Sequence, residues 1–156
     1  MSISDTFRRR DLNLILRKVL ESDWKFILDV RNEETVRKSC YDTNVISWES
    51  HQKYMVKIKN YPQWIIELDG IRIGQCKIIE QELGLMLSDK YQGIGLGTKI
   101  YSLIFDECKK LKMPVLKAVI KNEVPRATHT ALKVGFVKTH EFTENHIDYS
   151  VFEKLI

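Results

Sequence analysis

The chain has 156 residues, 44% hydrophobic and 29% charged, with a net charge of +4. At ~100–200 residues per domain this is a single domain, residues 1–156, with enough apolar material for a core, so disorder as a default state is excluded. No apolar run approaches the ~18 residues of a membrane span, and the basic opening MSISDTFRRRD has no apolar stretch behind it to make a secretory leader. Cys40, Cys76 and Cys108 are odd in number and far apart. They suit neither a disulfide framework nor a zinc site, and point to a reducing cytoplasm with no metal. The mild positive excess fits an ordinary soluble surface or a site for a phosphorylated ligand.

In chain order, residues 1–10 read as a flexible tail and 12–20 (LNLILRKVL) as a first strand. Ser22 is placed to cap a helix, with Trp24, Ile27, Leu28 and Arg31 on one face. A second helix starts after Ser47, with Trp48, Met55 and Ile58 on one stripe; this spacing favours the core for Trp48. Two β-rich runs then flank Asp69-Gly70, a two-residue hairpin signal. This hairpin is a candidate sheet edge for pairing two copies. Residues 82–88 form a further short strand. Behind the loop 91–99, Ile100, Leu103, Ile104, Cys108 and Leu111 give a helical stripe closed by Pro114. Residues 115–120 read as a buried strand. Pro125 suits the first helical position and Gly135 the end of that helix. Strands at 136–142 and 147–155 complete the order β-α-α-β-β-β-α-β-α-β-β.

The chemistry concentrates in the loop, where Gly93, Gly95 and Gly97 fall within five residues between a strand and a helix. Glycines let a ligand approach the backbone amides, and the helix N-terminus adds unpaired N–H groups and about half a positive charge. Together they form a cradle for an anion such as a pyrophosphate; the plainer alternative is a tight turn. A nucleotide P-loop is excluded because Thr98-Lys99 stands in the wrong order, and a dinucleotide fold because the spacing and the preceding meander are wrong.

The run Gln92-Gly93-Ile94-Gly95-Leu96-Gly97, with Asn122 after the next strand and Lys133-Val134-Gly135-Phe136 after the next helix, resembles the GNAT superfamily of acyl-CoA-dependent N-acetyltransferases. The element order matches across residues 12–155. The resemblance implies an α/β (α+β) fold with a mixed, mostly antiparallel sheet of about seven strands and four flanking helices. It implies that the fourth and fifth strands splay and that acetyl-CoA lies between them like an added strand. The backbone of Leu85, Met86 and Leu87 would pair with its pantetheine arm. One amide there, taken as that of Leu87, would hold the thioester oxygen as it gains charge. The amides of Gln92, Gly93, Ile94, Gly95, Leu96, Gly97 and Thr98 would cradle the pyrophosphate. Asn122 would bond the cofactor arm, and Lys133 would lie near the adenosine end.

In such a transfer a neutral amine attacks the thioester, so a carboxylate must first take its proton. Glu82 is the candidate base, ten residues before Gln92, against the plain reading of a strand-edge charge; Glu80 is the alternative. Many relatives protonate the leaving thiolate with a tyrosine at the position held here by Ala131, a departure that leaves the acid unassigned. His129 and Tyr101 qualify by residue type alone. Residues 30–55 are similar to amino-sugar nucleotide N-acetyltransferases of the pseudaminic acid pathway. That implies acceptor contacts from Arg31, Asn32, Arg37, Tyr41 and His51, the arginines meeting a diphosphate and Tyr41 or Trp48 a ring face. The plainer readings are a solvated face for Arg37 with Lys38 and a surface or capped histidine for His51.

The expected activity is transfer of acetyl from acetyl-CoA to a primary amine of a small molecule, a nucleotide-linked amino sugar being favoured. Acetylation of a protein or peptide amine and a non-catalytic acyl-CoA-binding regulator are the alternatives. Nucleic-acid binding through Arg8–Arg10 ranks lowest, because aromatic interleaving is missing. No membrane partner is expected, and either a monomer or a homodimer.

Overall fold

The computed structural model describes residues 12–156. The tail expected at residues 1–10, with Arg8–Arg10, lies outside the described residues. Seven strands form one sheet: β1 (Leu14–Lys18), β2 (Gln63–Leu68), β3 (Ile71–Ile79), β4 (Glu82–Leu87), β5 (Val115–Lys121), β6 (Val137–Glu144) and β7 (Ile147–Leu155). Five helices accompany it: α1 (Trp24–Arg31), α2 (Glu34–Ser39), α3 (Trp48–Ile58), α4 (Gly97–Lys110) and α5 (Pro125–Lys133). The strand order is β1-β2-β3-β4-β5-β7-β6, antiparallel throughout except for β4 beside β5.

Five helices replace the expected four. The extra one, α2, is a short polar segment with one buried side chain, Val36. It has no apolar stripe that periodicity can detect. The first strand is shorter than 12–20, and Ser22 does not cap the first helix. Instead residues 21–23 form a 3-10 turn, in which Asp23 accepts from the Leu20 amide at 2.8 Å. Ser47 does cap α3, accepting from the Ser50 amide at 3.2 Å. Asp69 and Gly70 turn with φ of 50° and 80°, as a tight two-residue hairpin requires. That hairpin is interior, because β1 covers β2; the sheet edges are β1 and β6.

Alternation along the strands divides the core in two. Leu83, Leu85 and Leu87 of β4 face α4 and α5, with Ile73, Ile100, Ile104, Leu116 and Phe136. Met86 faces the opposite side, with Ile27 of α1 and Met55 and Ile58 of α3. A buried ion-pair cluster fixes the start of α1. Asp23, 2% exposed, takes both guanidinium nitrogens of Arg17, at 2.7 and 2.8 Å, and a third contact from Arg72 at 3.3 Å. The Arg17 guanidinium holds the Asp23 carboxyl down at about 2.

Candidate active site

β4 and β5 meet at one rung, Glu82 opposite Lys117, with the Lys117 amide donating to the Gln81 carbonyl at 2.8 Å. Beyond it the strands separate. The β3–β4 register shows what β4 presents to the gap. The Ser88 amide donates to the Ile73 carbonyl at 2.9 Å, so Ser88 opposite Ile73 is a hydrogen-bonded rung. Such rungs alternate in an antiparallel pair. Met86 and Gly84 therefore spend their amides on β3, while Leu85 and Leu87 turn theirs into the gap. This corrects the expected triplet: Leu85 and Leu87 offer backbone groups there, and Met86 offers only a side chain on the α1–α3 face. The outward carbonyl of Leu87 receives the Gln92 side-chain amide at 2.9 Å.

The glycine loop lies at the open end of the gap. Gly93 and Gly95 have φ of +68° and +91°, and around Gly95 there is nothing within 4 Å of where a Cβ would sit. Leu96 is buried and Ile94 packs on the core, so both side chains anchor the loop. Gly97 serves packing: a Cβ there would come within 3.0 Å of Thr130 Cγ2, where α4 and α5 approach closely. Thr98 lies in the first turn of α4, whose free amides end the loop. Sequence reasoning missed Arg126. Its guanidinium from α5 lies 3.1 Å from a Cβ built on Gly93, bringing a cation to the loop. A basic residue just inside α5 was the available signal. Lys133 is exposed in the last turn of α5. The Asn122 side chain accepts from Ser150 Oγ at 2.6 Å, which ties the end of β5 to β7.

At the closed end, Glu82 accepts from the Tyr41 hydroxyl at 3.1 Å. Desolvation, then the Glu82 carboxylate, holds this phenol well above the usual tyrosine range, so it stays protonated. The Tyr41 ring is 5.4 Å from that of Tyr149, which in turn stacks on Phe142 at 4.9 Å. The result is a carboxylate beside an aromatic wall. Ala131 has no exposed surface and is packed among the core side chains under the sheet. Tyr101 is likewise buried, against Phe105 and Phe136. His129 is exposed on α5.

The remaining acceptor candidates mostly build the loop that carries Tyr41. Arg31 donates to the Asp42 carbonyl. Asn32 bonds both backbone groups of Ile46, at 2.8 and 2.9 Å, and Arg37 reaches the carbonyls of Asn32 and Thr43, at 3.0 and 3.1 Å. These arginines are engaged with backbone rather than solvated. His51 is buried, contrary to a surface position; its Nε2 donates to the Trp24 carbonyl at 2.7 Å, joining α3 to α1. Burial holds its pKa below the usual imidazole range. Trp48 is 41% exposed, so the core position expected from its spacing is corrected. α2 spans the open end of the gap. Before it, Glu33 accepts from Ser88 Oγ at 2.7 Å beyond β4; at its far end the Lys38 carbonyl accepts from the buried Lys121 of β5 at 2.8 Å.

A splayed parallel pair offering free amides, ending at a glycine cradle and starting at a carboxylate, defines an acyl-CoA-dependent transferase. The residues present fit acetyl-CoA: the gap is open, the loop is free of side chains at Gly95, and Arg126 stands beside it. The chain belongs to the GNAT acetyltransferase family, since the family model "Acetyltransferase (GNAT) domain" matches residues 13–137. It is therefore an acetyl-CoA-dependent N-acetyltransferase by family. The fold is similar to a spermidine N-acetyltransferase from Vibrio cholerae, solved with CoA and spermine (TM-score 0.84, 19% identity, 91% of this chain and 95% of that one). It is also similar to a domain from Methanocaldococcus jannaschii (0.83, 21%, 94% and 100%) and to a ribosomal-protein-alanine N-acetyltransferase from Brucella melitensis (0.78, 15%, 91% and 99%). No curated protein sequence matches the chain at a significant level. Among the described residues no helix is long and apolar enough to cross a membrane, and no cluster of metal-binding side chains occurs.

Proposed function

We propose that the protein acetylates the primary amine of a small molecule, with Glu82 as the base. The observation that carries this is the place of Glu82, at the single rung that closes the β4–β5 gap. Acetyl-CoA supplies the activated acetyl group. The loop amides from Gln92 to Thr98, with Arg126, hold its pyrophosphate. Leu85 and Leu87 pair with its arm; Leu85, nearer Glu82, has the amide better placed to stabilise charge on the reacting carbonyl oxygen. Glu82 takes the proton that the acceptor ammonium must lose. Asn122 and Lys133 serve the outer parts of the cofactor only if the Ser150 contact is exchanged or the Lys133 side chain folds inward.

The acceptor site combines a carboxylate with Tyr41, Tyr149 and Phe142, which suits an ammonium on an apolar or ring-bearing carrier. The nucleotide-linked amino sugar is the second reading. Arg31 and Arg37 already bond loop carbonyls, which weakens it; the Arg31 Nη1 atom, buried without a partner, is the observation in its favour. The three cysteines are free, in keeping with a reducing cytoplasm. The test is a thiol-release screen with acetyl-CoA across diamines, amino acids, amino sugars, amino-sugar nucleotides and peptides. Turnover of a small primary amine is expected; activity confined to peptides would overturn the acceptor assignment.

A further inference from the structure

The family places its thiolate-protonating tyrosine where this chain has Ala131, and Ala131 is sealed in the core with no exposed surface. With alanine there, that point of α5 supplies no acid. A different tyrosine reaches Glu82 from beside the outer part of β5, where Tyr149 pairs with Lys121. Tyr41, on the segment between α2 and α3, places its hydroxyl 3.1 Å from Glu82 Oε2, at the rung where the gap ends. Three polar anchors, from Arg31, Asn32 and Arg37, hold the backbone of this segment at Asp42, Thr43 and Ile46. The Tyr41 ring rests against Tyr149 of β7. So much anchoring of a segment whose tyrosine stays 54% exposed aims the hydroxyl rather than filling a core.

We propose that Tyr41 protonates the departing thiolate and that Glu82 resupplies its proton. This rests on the acetyltransferase reading above. The acceptor ammonium gives one proton to Glu82. The C–N bond then forms from the amine lone pair as the C–S bond breaks, its electron pair leaving on sulfur. Tyr41 gives its hydroxyl proton to that sulfur and takes the proton held on Glu82 across their hydrogen bond. The surplus proton on the new amide nitrogen goes to solvent. Ammonium and thioester thus become amide, thiol and one proton, and both side chains return to their starting states. Besides Glu82 of β4, the titratable groups facing the phenol are Tyr149 of β7 and Glu144 of β6. Its desolvation, then the Glu82 and Glu144 carboxylates, keep the hydroxyl protonated at neutral pH, as an acid must be.

The experiment uses the full chain with Tyr41→Phe, which keeps the ring on Tyr149. Three quantities are measured: the rise in Tm on adding CoA, the titration of the bound CoA thiol followed by ultraviolet thiolate absorbance, and the rate of amide formation. The expected result is an intact Tm rise, a bound thiol that ionises at higher pH than in the unaltered protein, and a rate lower by roughly a hundredfold. An unchanged rate overturns the proposal. So does a lower rate with an unchanged thiol titration, because Tyr41 would then act only by orienting Glu82. If the unaltered protein shows no Tm rise with CoA, the acetyltransferase reading fails, and the proposal falls with it.

Discussion

The main chains of Glu82 and Lys117 form the one rung joining β4 to β5. The groups of the candidate site are arranged by distance from it. Glu82 and Tyr41 stand at the rung, the inward amides of Leu85 and Leu87 lie further along, and the glycine loop lies at the open end. The Glu82 carboxylate stands where the strands close, the loop where they are open.

The open cradle at Gly95 gives the first prediction. Gly95→Val puts a branched side chain where there is now space, at a φ of +91°. The strain costs about 1–2 kcal/mol, and the apo Tm should fall modestly. The larger effect is the loss of the CoA-induced Tm rise. A Tm rise equal to that of the unaltered protein would remove the loop from cofactor binding.

Arg126→Ala should weaken CoA by about ten- to a hundredfold, a phosphate contact made by a charged donor being worth about 1.5–3 kcal/mol. The salt dependence of CoA binding should flatten at the same time. Calorimetric titration at two salt concentrations tests both. An unchanged affinity would show that the guanidinium beside Gly93 serves packing alone.

Glu82→Gln should slow acetylation by roughly a hundredfold. The loss should be greatest well below the acceptor's own pKa, where the ammonium predominates, and should shrink as pH rises and free amine becomes available. A pH–rate profile of both proteins decides this, and a constant ratio across pH would exclude Glu82 as the base.

The Asp23 cluster should set acid stability. The folded carboxyl is held near 2 by Arg17, below its ordinary value of ~3.9. A lowered folded pKa means the unfolded chain binds the proton first, so stability rises with pH. The contribution of about 2 kcal/mol is fully present above pH ~4 and lost as pH falls towards 2. Asp23→Asn should remove roughly the same amount at neutral pH and flatten the acid limb of urea midpoints measured against pH. An unchanged limb would place acid sensitivity elsewhere.

Local rules in the sequence determined a good part of this protein. The Asp69-Gly70 turn, the Ser47 cap, Pro125 at the start of α5 and Gly135 at its end depend on backbone conformation within a few residues, and each is where the spacing placed it. The glycine loop was legible for the same reason, and the family followed from its motifs. Only the tertiary structure decided the acceptor side. Whether Arg31 and Arg37 meet a ligand or loop carbonyls, whether His51 is surface or strut, and which tyrosine stands beside Glu82 all depend on chain segments far apart in sequence. Tyr41 and Glu82 are 41 residues apart. Hydrophobic spacing records which face of an element is apolar. It does not record where a short polar helix such as α2 and the loop behind it come to rest, because hydrogen bonds to distant backbone, rather than an apolar stripe, hold them there.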